Sequence, residues 1–261
     1  METIKVYKDN PVMSKTQSQY LRLYDVVKNN GAIGNDFFEK CTANNLTREQ
    51  LIKYLFNWYP ITESFAVHGL LYTHHVAKYL QKNIEATDFE NVENFFCDVL
   101  EISKGEFEII NIAPNNFHPK AFTRLAPKLG ISVKDLLTRN FKLNPETKIL
   151  EKNITANFSN GDDILCGFAN FFVVETIAIH IVKSMDNTFG NLKNQDGQKL
   201  YDDYEMVYIT EHLKLEVLHG DEVATMLDKL NLSEERFSTL ATYVGELSLN
   251  FSTFWKALLT K

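Results

Sequence analysis

The feature that most constrains the fold is the stretch from Ile164 to Ser184, which is apolar on nearly every side. Asp162 or Asp163 precedes it and can cap a helix. A helix that is apolar all round lies in the interior of a protein, so this segment predicts a buried helix of a bundle. Its one carboxylate is Glu175. The apolar residues around that carboxylate are Phe168, Phe171, Phe172, Val173 and Val174.

Glu175 therefore needs a partner. An ionised carboxylate in an apolar interior is strongly destabilising unless a cation or hydrogen-bond donors hold it. Two interpretations follow, a metal ligand and a hydrogen-bonded structural glutamate. The pattern favours the ligand.

Composition supports a helical protein of one domain over residues 1–261. The chain is 44% hydrophobic, which is enough for a sizeable core, and no long linker divides it. Eleven glycines and six prolines are few for this length, and alternating strand-like runs are rare. We predict an all-α fold.

Charge and cysteine content exclude several classes of function. The net charge is −7 with both signs mixed, so no basic stripe indicates nucleic-acid binding. The first ten residues lack a hydrophobic signal core, which predicts a cytoplasmic protein without a membrane segment. Cys41, Cys97 and Cys166 form no CxxC pair, so reduced thiols are expected. Cys166 is the best candidate nucleophile among them.

Helix boundaries follow from capping residues and breakers. Thr47 and Gln50 form a capping box before a long apolar helix that contains Pro60. The predicted helical segments are Ser14 to Asn29, Asp36 to Cys41, Thr47 to Lys82, Asp88 to about Phe107, a start at His118-Pro119, a short helix after Ser132, a start at Asn144-Pro145, Ile164 to Ser184, Leu200 to His219 and Leu232 to Leu259.

Three strong metal ligands stand close together near the end of one predicted helix. His212, Glu216 and His219 occupy positions i, i+4 and i+7, which lie within roughly 60° of one another on a helix. Histidine and glutamate also occur on solvated helix faces. The apolar residues that surround these three favour a buried metal site instead.

A second ligand pair lies earlier in the chain. Glu108 precedes His118 by ten residues across the turn at Pro114. Glu101 and Glu106 are alternatives for the carboxylate, and His118 could instead cap or pack. The pair is a weaker signal than the triplet.

The order of these residues resembles the haem-oxygenase-like diiron oxidases and oxygenases, whose fold is shared with thiaminase-II. The order is a glutamate, a histidine ten residues later, a lone glutamate in an apolar helix, and His-x3-Glu-x2-His. Asn57-Trp58-Tyr59-Pro60 and His118-Pro119 followed by Leu129-Gly130 add to the similarity. The resemblance extends from about Thr47 to His219 and implies a bundle of about seven core helices.

The resemblance also implies a site and an activity. The implied metal ligands are Glu108, His118, Glu175, His212, Glu216 and His219. They would hold two Fe(II) ions per chain, or manganese with iron, and dioxygen would be the co-substrate. A peroxo-diferric intermediate would oxidise an amino acid or amine, or a fatty acid as second choice, in a homodimeric enzyme. The family usually has aspartate where this chain has Glu216.

Other interpretations compete with the diiron enzyme. A ferritin-like diiron bundle takes Glu-x-x-His from two helices, whereas this sequence has only Glu216 and His219 in that spacing. The haem-oxygenase-like fold also includes metal-free enzymes, namely thiaminase-II with a cysteine nucleophile and a cofactorless oxidase of quinone-cofactor biosynthesis. Haem binding through one histidine and a non-catalytic interaction protein remain as further alternatives.

Overall fold

The computed structural model describes residues 15–82, 89–105 and 118–260, with side chains undescribed at 215–221 and at a few range ends. The helices are α1 Lys15–Asn29, α2 Asp36–Thr42, α3 Arg48–Lys82, α4 Phe89–Gly105, α5 His118–Phe122, α6 Val133–Leu137, α7 Pro145–Ser159, α8 Ile164–Gly190, α9 Val207–Leu230 and α10 Glu234–Leu259. Within these ranges the only β feature is an isolated bridge between Lys193 and Lys199. The predicted all-α fold is confirmed.

Helix α8 is the apolar segment that the sequence singles out. It packs against α1, α2, α3, α7, α9 and α10. The Asp163 side chain caps it by accepting a hydrogen bond from the Leu165 amide at 3.1 Å. Its length and composition would suit a membrane span, but 78% of its most apolar window is buried. The apolar character of α8 therefore reflects its place in the core.

One helix boundary differs from the prediction. Helix α9 begins at Val207, whereas the sequence pattern predicts a start near Leu200. In the preceding turn Asp202 and Glu205 each accept the other's backbone N–H, at 2.9 and 3.1 Å. Acidic side chains that bond the backbone locally favour a turn over a helix. Residues 200–207 contain no proline or glycine, but this absence is not enough to extend the helix through the turn.

The start of α3 follows the predicted capping box. Gln50 donates its backbone N–H to Thr47 Oγ1 at 3.2 Å, and Gln50 Oε1 accepts the Thr47 N–H at 3.0 Å. The helix continues through Pro60 to Lys82. Helix α3 therefore contributes residues both to the core and to the protein surface.

A buried asparagine joins α3 to the start of α7. Asn57 Oδ1 accepts the backbone N–H of Asn144 at 2.9 Å and the hydroxyl of Thr147 at 2.7 Å. Asn57 Nδ2 donates to the Lys53 carbonyl at 2.8 Å. Asn57 is 2% exposed and Thr147 is fully buried. A side chain of α3 thus satisfies two donors at the beginning of α7.

Asn57→Ala is expected to lower the free energy of unfolding by about 2 kcal/mol, because it leaves the buried Thr147 hydroxyl and the part-buried Asn144 N–H without their acceptor. Asn57→Asp is the matched control, since it keeps the acceptor oxygen and should be less destabilising. Urea unfolding followed by circular dichroism measures both variants. Equal destabilisation of the two would contradict this role for the Asn57 oxygen.

The aromatic stripe of α10 is part of the core. Trp255 is fully buried, and its ring lies 4.9 Å from Phe37 and 5.3 Å from Trp58 between centroids. Its indole N–H donates to the Ala32 carbonyl at 3.1 Å. This packing fixes the position of Trp58 on α3, which also faces the cavity described next.

Candidate functional site

A cavity lies between α3, α8 and α9. Its volume is about 50 Å³. Its walls are formed by Trp58, Ile61, Thr62, Phe65, Val174, Glu175, Ala178, Ile181, Val182, Tyr208 and His212. One buried water needs about 10–15 Å³, so the cavity has room for only a few waters. A ligand larger than this can enter only if the wall residues move apart.

Helical spacing explains why these side chains meet. Trp58, Thr62 and Phe65 occupy positions i, i+4 and i+7 of α3, so they form one stripe. Tyr208 and His212 are four residues apart on α9 and share a face in the same way. Most of the wall is apolar, and the polar groups are few. An apolar wall with a few convergent polar groups is typical of a small-molecule site, but this cavity is far smaller than the usual ~300–1,000 Å³ of such sites.

His212 has a defined tautomer. It is 7% exposed, and its Nδ1 lies 2.5 Å from the carbonyl oxygen of Tyr208. A carbonyl can only accept, so Nδ1 carries the proton and donates it. In the neutral ring, the lone pair is then on Nε2. His212 is therefore equipped to act as a base at the cavity wall.

The ring of His212 is also held by packing. Its centroid lies 4.2 Å from the ring of Tyr208, which in turn makes an edge contact with Phe122 at 5.2 Å. These contacts restrict rotation of the imidazole. A general base acts well only when its orientation is maintained in this way.

Glu175 provides a carboxyl group to the same cavity. It is 5% exposed and lies on α8 with Val174 and Ala178, which also line the wall. Glu175 and His212 come from different helices and from sequence positions far apart. Their meeting at one cavity creates the acid–base potential of the site.

Trp58 adds a hydrogen-bond donor to the wall. Its Nε1 is buried and meets no acceptor among the residues that the structure describes. The ring stacks with Tyr54, at 6.3 Å between centroids, and with Trp255, at 5.3 Å. Buried indole N–H groups normally have a partner, so Trp58 can donate to a bound molecule.

The structure brings together two of the six predicted ligands, Glu175 and His212. Glu216 and His219 continue along α9, and His118 is the first residue of α5, but their side chains lie outside the described part of the chain. Glu108 lies outside it altogether. Among the described residues no group of three His, Cys, Asp or Glu could hold a metal ion. The six-residue set stays a prediction.

Cys166, the candidate nucleophile, is not in this cavity. It lies in the first turn of α8, nine residues before Glu175 or about 13.5 Å along the helix. Asn160 Nδ2 donates to its sulfur at 3.1 Å. Burial raises the pKa of the thiol, and hydrogen bonds from Tyr243 and Asn160 oppose that rise. A reaction in the cavity therefore cannot use this thiol.

The remaining described histidines do not line the cavity. His180 packs on Phe38, and burial lowers its pKa to about 4. His68 bonds the Ser64 carbonyl at 2.8 Å. His74 is exposed and His75 is half-buried.

Sequence reasoning did not assign Trp58 and Thr62 to the site. Trp58 belongs to the Asn57-Trp58-Tyr59-Pro60 motif, which in the sequence only adds to the family resemblance. Tyr208 also lines the wall. The spacing of Trp58, Thr62 and Phe65 on one stripe of α3 is the signal that could have identified this wall.

No protein-family model and no curated protein matches the sequence. Solved structures do match over most of the chain. A TenA homolog from Pseudomonas syringae has a TM-score of 0.67 at 11% identity, covering 94% of this chain and 93% of its own. A TenA family transcription regulator from a Silicibacter species has a TM-score of 0.62 at 14% identity, covering 95% and 98%. A Shewanella denitrificans domain of unknown function with a heme oxygenase-like fold has a TM-score of 0.62 at 14% identity, covering 94% of this chain and 90% of its own.

The chain therefore has the haem-oxygenase-like fold of the TenA homologues, which confirms the predicted fold family. The predicted diiron oxidase or oxygenase activity is wrong, because the TenA homologues that the chain resembles are not diiron enzymes. A buried glutamate and histidine suit proton transfer as well as metal binding, so residue types alone did not separate the two chemistries. The iron, the dioxygen, the homodimer and the cytoplasmic location stay predictions.

Proposed function

We propose that this protein is an enzyme of the thiaminase-II type in the broad sense, in which its own side chains carry the chemistry. The substrate would be a small heteroaromatic amine that binds in the cavity between α3, α8 and α9. The observation that carries the proposal is the pairing of a buried glutamate with a tautomer-fixed histidine at one apolar cavity. The likeness to TenA homologues supports it.

The chemical nature of the wall supports this substrate class. Trp58, Phe65 and Tyr208 present aromatic surface, which suits a flat ring. The carboxyl group of Glu175 can accept hydrogen bonds from an amino substituent. The indole N–H of Trp58 can donate to a ring nitrogen. These groups together favour a flat, amine-bearing molecule over a fatty acid.

The proposed reaction is hydrolytic loss of ammonia from the ring. His212 Nε2 removes a proton from water, and the water oxygen forms a bond to the ring carbon that carries the amino group. The carboxyl group of Glu175 gives a proton to the leaving nitrogen as the C–N bond breaks. Water is consumed and ammonia is released, so no oxidant or reductant is needed. Each step uses a group at the cavity wall.

Glu175→Gln is expected to reduce ammonia release by about 10²-fold or more, because general acid–base groups contribute about 10²–10⁴ to rate. The assay incubates the full chain with a panel of amino-substituted pyrimidines and related rings, and follows ammonia and product mass. Glutamine keeps the size of the side chain and its hydrogen-bonding oxygen. It cannot transfer a proton.

Glu151→Gln is the matched control, since Glu151 is a half-buried glutamate that does not line the cavity and bonds Arg139. It should leave turnover unchanged even if it lowers stability. Turnover that depends on added iron and dioxygen would contradict the proposal. So would equal activity of the Glu175→Gln variant and the parent protein.

A further inference from the structure

An exposed apolar patch lies on the outer face of α3 and α4. Val67, Leu70 and Leu71 are 49%, 46% and 37% exposed, and they occupy positions i, i+3 and i+4 of α3. Leu100 of α4 is 43% exposed. Apolar side chains scattered singly over a surface are normal, whereas a contiguous group of them indicates an interaction surface.

Hydrogen bonds fix how α3 and α4 lie beside each other. Ser103 Oγ donates to the Gly69 carbonyl at 3.3 Å and lies 3.1 Å from Thr73 Oγ1. The last helical residue of α3 and the first of α4 are seven positions apart, so the two helices form an antiparallel hairpin. Leu70 lies between Gly69 and Thr73, and Leu100 is about 4.5 Å along the axis from Ser103. The four apolar side chains therefore belong to one patch.

Basic side chains continue the patch along α3, and acidic ones continue it along α4. Lys78, Lys82, Glu90 and Glu93 are all exposed. At 1.5 Å per residue, the lysines lie about 7.5 and 13.5 Å beyond Thr73, and Glu93 and Glu90 lie about 15 and 19.5 Å beyond the Ser103 level, toward the same end. In the described part of the chain, none of these four side chains forms an ion pair.

The surface formed by this hairpin is complementary to itself. A two-fold axis that runs parallel to the helices, between α3 and α4, places α3 of each copy on α4 of the other. Lys82 then faces Glu93 of the second copy at nearly the same height, with Lys78 and Glu90 about one turn away, and the apolar patches meet beside them. Every contact of a two-fold interface occurs twice. Two hairpins packed in this way form a four-helix bundle.

The mixture of charges argues against other classes of partner. An anionic membrane or a nucleic acid is attracted by positive surface, but the acidic side chains of α4 lie directly beside the lysines of α3. A second copy of the chain supplies the matching acidic and basic stripes and the matching apolar patch at once. Charge complementarity therefore favours the second copy.

We propose that the outer face of α3 and α4 is the interface of a homodimer. Its centre is the apolar patch, and its rim is the set of pairs between lysines of one subunit and glutamates of the other. The cavity between α3, α8 and α9 is lined by other side chains of α3. The proposal is thus independent of the activity assigned to that cavity.

The first test is the mass of the full chain in solution, measured by sedimentation equilibrium over a range of concentrations. A dimer is expected at micromolar concentration. Leu70→Glu should raise the dimer Kd tenfold or more, because it places a charge in the apolar centre of the interface. Leu249→Glu is the matched control, since Leu249 is 54% exposed on α10 and should leave the Kd unchanged. A chain that is monomeric throughout, or equal weakening by both variants, would overturn the proposal.

A charge exchange separates the interface from folding. Lys78→Glu/Lys82→Glu makes the rim wholly acidic, and Glu90→Lys/Glu93→Lys makes it wholly basic. Each variant alone should be mostly monomeric, because like charges then face each other across the two-fold axis. An equimolar mixture should recover a dimer with one chain of each kind. A mixture that stays monomeric would contradict the assigned pairing, as would variants that dimerise as the parent protein does.

Cys97 reports on the position of the contact. It lies on α4 between Glu93 and Leu100 and is exposed, whereas Cys41 and Cys166 are buried. A thiol reagent should therefore modify Cys97 first. Dimer formation should slow this modification about tenfold, and dilution or Leu70→Glu should restore the faster rate. A dimer in which Cys97 reacts as fast as in the monomer would place the interface elsewhere and overturn the proposal.

Discussion

Replacing His212 with asparagine is expected to lower kcat for ammonia release by about 10²–10⁴-fold, the usual contribution of a general base. The asparagine amide can take the place of Nδ1 and keep the hydrogen bond to the Tyr208 carbonyl. It has no group at the position of Nε2. The variant therefore removes the base while it maintains the local packing, and KM should change little.

Two further measurements make this prediction specific. His212→Gln places an amide near the position of Nε2, which can hydrogen-bond to water but cannot take its proton, so it should be equally inactive. Thermal unfolding should show that both variants retain the fold. If His212→Asn turns over at the rate of the parent protein, the assigned role of the imidazole is wrong.

The helices could be predicted because their signals are local. Helix α8 is apolar on all sides, and the capping box of Thr47 and Gln50 marks the start of α3. The predicted start of α9 was wrong, because Asp202 and Glu205 stabilise a turn in which each side chain accepts the other residue's backbone N–H. The spacing of apolar residues alone does not show that a turn competes with the helix here.

The site could be predicted only in part. The burial of Glu175 and His212 can be predicted from the apolar residues around them. Their chemical role cannot, because imidazole and carboxylate groups serve both metal binding and proton transfer. Trp58 is positioned by stacking on Trp255, a residue 197 positions later. Cys166 meets Tyr243 of α10 in the same way. Contacts between distant segments determine which residues share a cavity.

A glycine in α8 provides the largest expected effect on stability. A Cβ atom on Gly167 would overlap with ring carbons of Tyr72. That ring cannot move aside easily, because Tyr72 is fully buried and its hydroxyl donates to the Ile164 carbonyl at 2.7 Å. Phe158 and Phe171 also contact the ring, at 5.7 and 5.6 Å between centroids. The close contact of α3 with α8 depends on this glycine.

Gly167→Ala is therefore expected to lower the free energy of unfolding by about 3 kcal/mol, the upper part of the usual range for overpacking. Gly245→Ala is the matched control, because its Cβ would meet Val26 at an ordinary 3.6 Å, and alanine in a helix should stabilise by about 0.5–1 kcal/mol. Tyr72→Leu should relieve the overlap, so Gly167→Ala should cost less stability in that background. Urea unfolding of the four single and double variants measures the coupling. Equal stability of Gly167→Ala and Gly245→Ala would show that α8 can shift away from Tyr72 without loss.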